Sequence, residues 1–332
     1  MLRQLTAAAE SWPLSSPFRI SRGVKTAADV VYVELRQGQT IGRGEAVPYG
    51  RYNETTGLVL EQIASVQADL EAGLSRHALL SRLPPGAARN AVDCALWDLE
   101  AKLAGGAVWV ELGADDPPPA LTTALTISLD TPAAMGEAAA RIRDAALIKI
   151  KVDANDPEAQ LRAVRAAAPA ARLVVDPNEG WSFDILRRMQ PALAAARVDL
   201  IEQPLPADED EALEGFTSVA PICADESCHT ADDLPALRGR YQVVNIKLDK
   251  SGGLTAAMEL LVAARREGFG IMSGCMVCSS LGIAPAFHVA RRAAFIDLDG
   301  PLLLRADRPG GVTLEDGLLQ PPSPGFWGDV VD

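Results

Sequence analysis

Asp176 in VVDPN, Glu202 in LIEQP and Asp225 in CADES each close a short apolar run, and lysines stand on either side of the set: Lys149 and Lys151 in ALIKIKV before it, Lys247 in NIKLDKSGG after it. Three carboxylates brought together without a cation repel one another and raise their own pKa values. A hard divalent ion relieves that strain. Mg²⁺ takes oxygen ligands in octahedral geometry and leaves positions for water or substrate oxygens, whereas zinc prefers the His and Cys that these runs lack at their ends. Taken singly, each acidic residue reads as a helix cap or turn residue. Their common position at the ends of consecutive runs is what points to a metal.

The lysines suggest proton transfer. Side chains alternate along a strand, so Lys149 and Lys151 share one face while Ile148, Ile150 and Val152 take the other. A nearby metal and a second ammonium would depress a lysine pKa toward the range of a working base. If Lys151 and Lys247 approach from opposite sides, a substrate between them could lose a proton to one and gain one from the other. Other readings of the same residues are snorkelling lysines on an edge strand, a Schiff-base aldolase, and a barrel kept as a binding module.

The elements that must hold these residues come from a repeat. From residue 120 onward eight apolar, β-branched runs alternate with Ala-rich helical patterns, and the polar run-ends Lys151, Asp176, Glu202, Asp225, Lys247, Ser273 and Asp297 recur at intervals of 25, 26, 23, 22, 26 and 24 residues. One βα unit per interval predicts eight parallel strands closed into a barrel with these residues at its C-terminal mouth; an open doubly wound sheet is the structural alternative. GADDPPPA, residues 113–120, separates this repeat from strand-like alternation (DVVYVELRQGQTIGRGEAVP) and a helical stretch (GAARNAVDCALWDLEAKLAG). The expected architecture is an α/β chain: a (β/α)7β TIM-like barrel over 119–310 and an α+β cap over 1–118 completed by the tail 311–332.

A chain of 332 residues with 48% hydrophobic and 23% charged residues is a globular protein rather than a disordered one. No run approaches the roughly 18–20 apolar residues of a spanning helix, and MLRQLTAAAESWPL has no sustained apolar core of a signal peptide, so a cytoplasmic protein is expected. A net charge of −13 argues against nucleic acid. Cys94, Cys223, Cys228, Cys275 and Cys278 are an odd set without metal-site partners, so CMVC reads as reduced, mostly buried thiols. Oligomeric state is left open, a homo-oligomer included.

The motifs KIK, Asp176, Glu202, Asp225 and NIKLDKSGG resemble the muconate-lactonising subgroup of the enolase superfamily, in which a lysine base and Mg²⁺ act on an enediolate. NAVDCALWDLEAKLAG is similar to that family's cap, and SSPFRISRG and EAVPYGRYNE to its two lid loops. Within the subgroup FIDLDGP, GCMVCSSLGIAPA and CADESCHT resemble dipeptide epimerases, the L-Ala-D/L-Glu type in particular; the chain departs in carrying Cys278 and Ser279 where many of them place a glutamate after the seventh strand. The resemblance implies an isomerase of murein peptide metabolism that moves the α-proton at the C-terminal residue of a dipeptide. Lys151 and Lys247 would be the two bases, with Lys149 stabilising the enediolate and Asp176, Glu202 and Asp225 the Mg²⁺ ligands. Asn178 and Glu226 would support the ligands, Asp297 and Asp299, projecting from one face of the eighth strand by its two-residue period, would clamp the substrate ammonium, and Arg22 would meet its glutamate side chain. An N-acylamino-acid racemase, an o-succinylbenzoate synthase and a muconate cycloisomerase would use the same lysines and metal.

Overall fold

The structure, a computed structural model, describes residues 3–330. Three strands, β1 (Arg3–Ile20), β2 (Gly23–Gln37) and β3 (Thr40–Ala46), form an antiparallel sheet. Alternation along β2 divides its side chains between two cores: Val31, Val33 and Leu35 pack on the helix Ala87–Leu103, while Val30 joins the larger core that extends through the barrel. The approach of β3 to that helix is backbone on backbone. A methyl group on Gly44 would lie 2.0 Å from the Ala91 carbonyl oxygen, and one on Gly42 2.2 Å from that of Ala95.

Eight parallel strands follow: β4 (Leu125–Ile127), β5 (Leu147–Lys151), β6 (Arg172–Asp176), β7 (Leu200–Glu202), β8 (Ile222–Ala224), β9 (Val243–Ile246), β10 (Gly270–Gly274) and β11 (Phe295–Asp297). They pair in chain order, and Ala124 N–H donates to Ile296 O at 2.7 Å, joining the first strand to the eighth. The helices expected between strands are full length after β4, β5, β6 and β9, but the link from β7 to β8 carries only a 3₁₀ turn, Asp210–Leu213, and that from β8 to β9 one turn of helix.

The barrel interior is layered by the two-residue period of its strands. Ala124, Leu147, Val174, Leu200, Cys223, Val243, Met272 and Phe295 form an apolar layer with one residue from or beside each strand. Two residues further on, the same face presents Thr126, Lys149, Asp176, Glu202, Asp225, Asn245, Gly274 and Asp297. The dry layer below closes the floor, so polar chemistry is confined to the mouth. One expectation is corrected here: Ser273 alternates with the inward Met272, and Gly274 instead represents β10 at the mouth.

The first lid also differs from a simple loop. SSPFRISRG is mostly strand: the β1–β2 register breaks between Pro13 and Phe18, then resumes through Phe18–Lys25, Arg19–Val24 and Ile20–Gly23, so the segment is the far end of a hairpin. The second lid follows β3 and contains the 3₁₀ turn Gly50–Tyr52. Beyond the barrel the tail returns to the cap: Trp327 Nε1–H donates to Arg43 O and Cys94 O at 3.0 and 3.1 Å, and Gly328 N–H to Asp98 Oδ1 at 2.6 Å. All five cysteines are free thiols, four of them buried. No helix among the described residues is long and apolar enough to cross a membrane.

The contact between β3 and its helix makes a direct prediction. Gly44→Ala must push the sheet off the helix and should destabilise the protein by about 1–3 kcal/mol. A lower urea midpoint at unchanged slope is the expected reading; an unchanged midpoint would show that the two backbones separate at no cost.

Candidate active site

Lys149 is the centre of the mouth layer. Its Nζ, buried with the rest of the side chain, lies 2.6 Å from Glu202 Oε2, 2.7 Å from Asp297 Oδ2 and 3.0 Å from Asp176 Oδ2. Burial alone would favour the neutral amine, but Asp297, Glu202 and Asp176 outweigh it and hold Lys149 well above the ordinary lysine range. Lys151, two residues on, sits at the end of β5 with its Nζ 2.5 Å from Asp176 Oδ2. Burial works to raise Asp176, yet Lys151 and Lys149 hold it down to about 2.

Lys247 follows β9 and places its Nζ 2.7 Å from Asp225 Oδ2. Between β5 and β9 stand three strands whichever way the barrel is traversed, so Lys151 and Lys247 enter the mouth from opposite walls. The expected depression of lysine pKa is not what the protein's own groups produce at Lys247: against burial, Asp225 moves it up. Asp225 in turn lies well below its usual range, because Lys247, Lys250 and Lys149 overcome its burial. Gly274 makes room for this arrangement, since a Cβ there would come within 2.7 Å of Asn245 Oδ1 and 3.0 Å of Lys247 Cε.

Lys250, the second lysine of KLDKSGG, lies beyond the end of β9, where strand spacing does not mark it as a site residue. Its buried ammonium donates to Asp225 O, to Cys228 O at 2.7 Å and to Asn245 O at 3.0 Å, and lies 2.8 Å from Asp225 Oδ1. Asp225 is thus held between two lysines. Glu202 accepts from Asn245 Nδ2 at 2.9 Å, while burial, followed by the charge of Asp176, pushes it up to about 7.

The supporting residues also converge. Asn178 donates to Asp176 from its backbone at 2.8 Å and from Nδ2 at 3.1 Å. Glu226, raised to about 7 by burial and by Asp225, faces Arg22, whose Nη2 is 2.6 Å from Glu226 Oε1. Arg22 also reaches Glu179 at 2.8 Å, Asn178 O at 2.6 Å and the Tyr49 hydroxyl at 3.1 Å, so its fork already meets two protein carboxylates. Lys25 was missed as a site residue: it lines the cavity, lies 5.1 Å over the Tyr49 ring, and forms no ion pair among the described residues. In sequence, a lysine in a polar loop reads as solvated surface.

Asp297 and Asp299 both line the mouth, but not as an unpartnered pair projecting from one strand. Strand pairing stops at Asp297, which meets Lys149, and Asp299 Oδ2 accepts the Thr126 N–H at 2.7 Å. Burial and the charge of Asp297 push Asp299 up to about 7.

Most of these groups, though not Asp176, Glu202, Asn245 or Lys250, line a cavity of about 670 Å³ between the barrel mouth and the lids. Among the described residues no three carboxylate, imidazole or thiol groups enclose an ion-sized point, because Lys149 bridges Asp176 and Glu202 while two lysines bracket Asp225. The donor set nevertheless fits a hard cation: it is all oxygen, and the buried Glu202 Oε2 and Asp225 Oδ1 are already met by positive charge, the ammonium groups of Lys149 and Lys250 at 2.6 and 2.8 Å.

Residues 2–113 match the family model described as mandelate racemase / muconate lactonizing enzyme, N-terminal domain, and residues 133–326 the one described as enolase C-terminal domain-like. The chain is 46% identical to the L-Ala-D/L-Glu epimerase of Escherichia coli (strain K12) over 92% of its length and 96% of that protein's. It is 46% identical to an N-acetyl-D-glutamate racemase of Pseudoalteromonas sp over 90% and 95%. A crystal structure of an enolase family member from Agrobacterium tumefaciens with homology to dipeptide epimerases, holding sodium and L-Ala-L-Glu, superposes with a TM-score of 0.95 at 49% identity, covering 98% of this chain and 100% of that one. The dipeptide epimerase of Methylococcus capsulatus, complexed with Mg and L-Arg-D-Lys, does so with a TM-score of 0.88 at 30% identity, covering 98% and 99%. With both halves matched and the barrel mouth carrying the lysines and carboxylates described above, the chain belongs to the mandelate racemase / muconate lactonizing enzyme family of enolase-like proteins.

Proposed function

We propose that this protein is a Mg²⁺-dependent dipeptide epimerase, catalysing 1,1-proton transfer through an enediolate at the C-terminal residue of a dipeptide, L-Ala-D/L-Glu foremost. The observation that carries the reading is the entry of Lys151 and Lys247 from opposite walls of one mouth. Asp176, Glu202 and Asp225 would hold the metal, with Asn178 fixing Asp176 and Glu226 supporting from the side. Bound Mg²⁺ would supply positive charge against the substrate carboxylate, which makes the α-proton more acidic.

The residues of the chain then divide the work. Lys151 takes the α-proton of one stereoisomer while Lys247 delivers one to the other face, and the roles exchange for the second isomer. The Lys149 ammonium, fixed by three carboxylates, stabilises the negative charge developing at the carboxylate of the substrate. Asp297 and Asp299 receive the dipeptide ammonium. Arg22 and Lys25, on the first lid, favour an acidic side chain. The natural setting is the cytoplasm, in the handling of murein peptides.

A second reading, racemisation of an N-acylated glutamate, is favoured by one observation: Asp297 and Asp299 already have partners in Lys149 and the Thr126 N–H, so a substrate without an ammonium is not excluded by unpaired charge. Mass-spectrometric α-deuteration in D₂O, comparing L-Ala-L-Glu with N-acetyl-L-Ala-L-Glu and N-acetylglutamate, separates the two. A large loss of kcat/KM on acetylation of the dipeptide supports the clamp, with a much smaller further loss in Asp299→Asn. Equal turnover of free and acetylated dipeptide assigns the protein to N-acylamino-acid racemisation.

Chelation should abolish deuteration and Mg²⁺ restore it, and full activity in a verified metal-free sample would overturn the metal assignment. The lysines predict an asymmetry. Lys151→Ala and Lys247→Ala should each lose epimerisation about a thousandfold or more, yet each should still exchange the α-proton of the one isomer that faces its surviving lysine. Exchange of the same isomer by both variants would refute opposite-face catalysis.

A further inference from the structure

The loop Cys275–Ser279 contributes a wall of the cavity, through Cys275, Met276 and Val277. It is a wall with little internal support. Cys275–Cys278 lie outside every helix and strand, and none of their backbone groups hydrogen-bonds another backbone group among the described residues. On one side the loop is packed against Gly300, where a Cβ would lie 2.6 Å from Met276 O. Its polar anchor is at the end, on Ser279.

Ser279 is gripped by a carboxylate from the cap. Glu45, at the buried end of β3, accepts the Ser279 N–H at 2.8 Å on Oε1 and its hydroxyl at 2.5 Å on Oε2. Arg308, arriving from beyond β11, donates to Ser279 Oγ at 2.8 Å and to Glu45 Oε2 at 2.7 Å. Its guanidinium sits 5.0 Å from the Trp12 ring centroid and 5.1 Å from that of Tyr32, and also pairs with Glu10. Ser279 Oγ in addition caps the helix Ser280–Ile283 by accepting the Leu281 N–H. Every hydrogen-bonding position on the hydroxyl is therefore used, by groups from three separate parts of the chain.

We infer that Glu45 and Arg308 are positioning residues: through Ser279 they hold the Cys275–Val277 wall at the distance from the lysines that the bound substrate needs. Neither touches the cavity, so the effect is transmitted by the loop. A buried carboxylate that accepts four hydrogen bonds has one geometry available, and the wall inherits it. This inference rests on the epimerase reading for its kinetic arm only.

Two variants test it from the two ends of the contact. Ser279→Ala removes the hydroxyl and leaves Glu45 with Arg308; Glu45→Gln keeps the shape but sets an amide N–H against the donors. Both should raise KM for L-Ala-L-Glu about tenfold or more while kcat changes less than about threefold, the split expected when ground-state placement is lost but the bases are intact. Independently of substrate, alkylation of buried Cys278 by iodoacetamide, followed by peptide mass spectrometry, should accelerate at least about tenfold over wild type. Cys94 and Cys223, in the cap and barrel cores, should keep their wild-type rates. Unchanged Cys278 labelling in Ser279→Ala overturns the inference, as does equal acceleration at all three cysteines, which marks general unfolding. If wild type turns over no dipeptide while Cys278 labelling responds as stated, the epimerase reading fails and the anchoring of the wall stands.

Discussion

Burying charge without water is the constraint around which the barrel mouth is built. Asp176, Glu202, Asp225 and Asp297 are all nearly inaccessible, and isolated carboxylates in that setting would take up protons rather than stay charged. Three lysines at the mouth change the outcome: Lys149 answers Asp176, Glu202 and Asp297 together, and Lys247 and Lys250 answer Asp225 from either side. The result is a lattice of opposite charges centred on Lys149, whose removal would strand Glu202 and Asp297, the situation in which breaking a buried pair costs most. The same lattice can hand carboxylate oxygens to a divalent cation and leave ammonium groups free to exchange protons.

The cap does two different jobs with two different kinds of contact. Its body is fixed to the barrel by buried hydrogen bonds to the segment after β9: Arg89 to Ser251 O and Gly252 O, Asn90 to Asp249, Asp93 to Thr255. Its lids meet the barrel through ion pairs in which partly exposed arginines reach buried carboxylates: Arg22 and Arg51 both meet Glu179, and Arg22 also meets Glu226. The hairpin end and the 3₁₀ turn line the cavity, while Lys247 stays tied to the helix Ala87–Leu103 through Asp249.

What could be read from the chain alone divides along physical lines. The polar ends of the barrel strands were legible because a strand's period is two and a βα unit's length is nearly constant, so residue type and interval together place Lys149, Lys151, Asp176, Glu202 and Asp225 at one end of one barrel. Interval alone misplaced Ser273, because only the strand's register tells that Gly274 faces in. The pairing of Asp297 with Asp299 on one strand face requires that the strand runs on; strand pairing stops at Asp297, and Asp299 Oδ2 accepts the Thr126 N–H. Arg22 was legible as a cation in a lid but not as one already shared by Glu226 and Glu179, and Glu45 and Arg308 gave no local signal, since their partners are 234 and 29 residues away at Ser279.

The return of residues 326–328 to the cap sets an order on folding. Gly328 donates to Asp98 across 230 residues of chain and accepts from Val108, Trp327 bonds Arg43 and Cys94, and Phe326 O takes the Arg43 guanidinium. During synthesis the sheet β1–β3 and its helix are made first, and Asp98 Oδ2 finds the Arg43 N–H and Lys102 within the cap, yet Asp98 Oδ1 waits for Gly328 until the whole barrel has been translated. Contacts of such separation close late. The nascent cap is thus an incomplete body that the finished barrel delivers its missing edge to, and the protein matures from the ribosome as a ring rather than as two beads in succession.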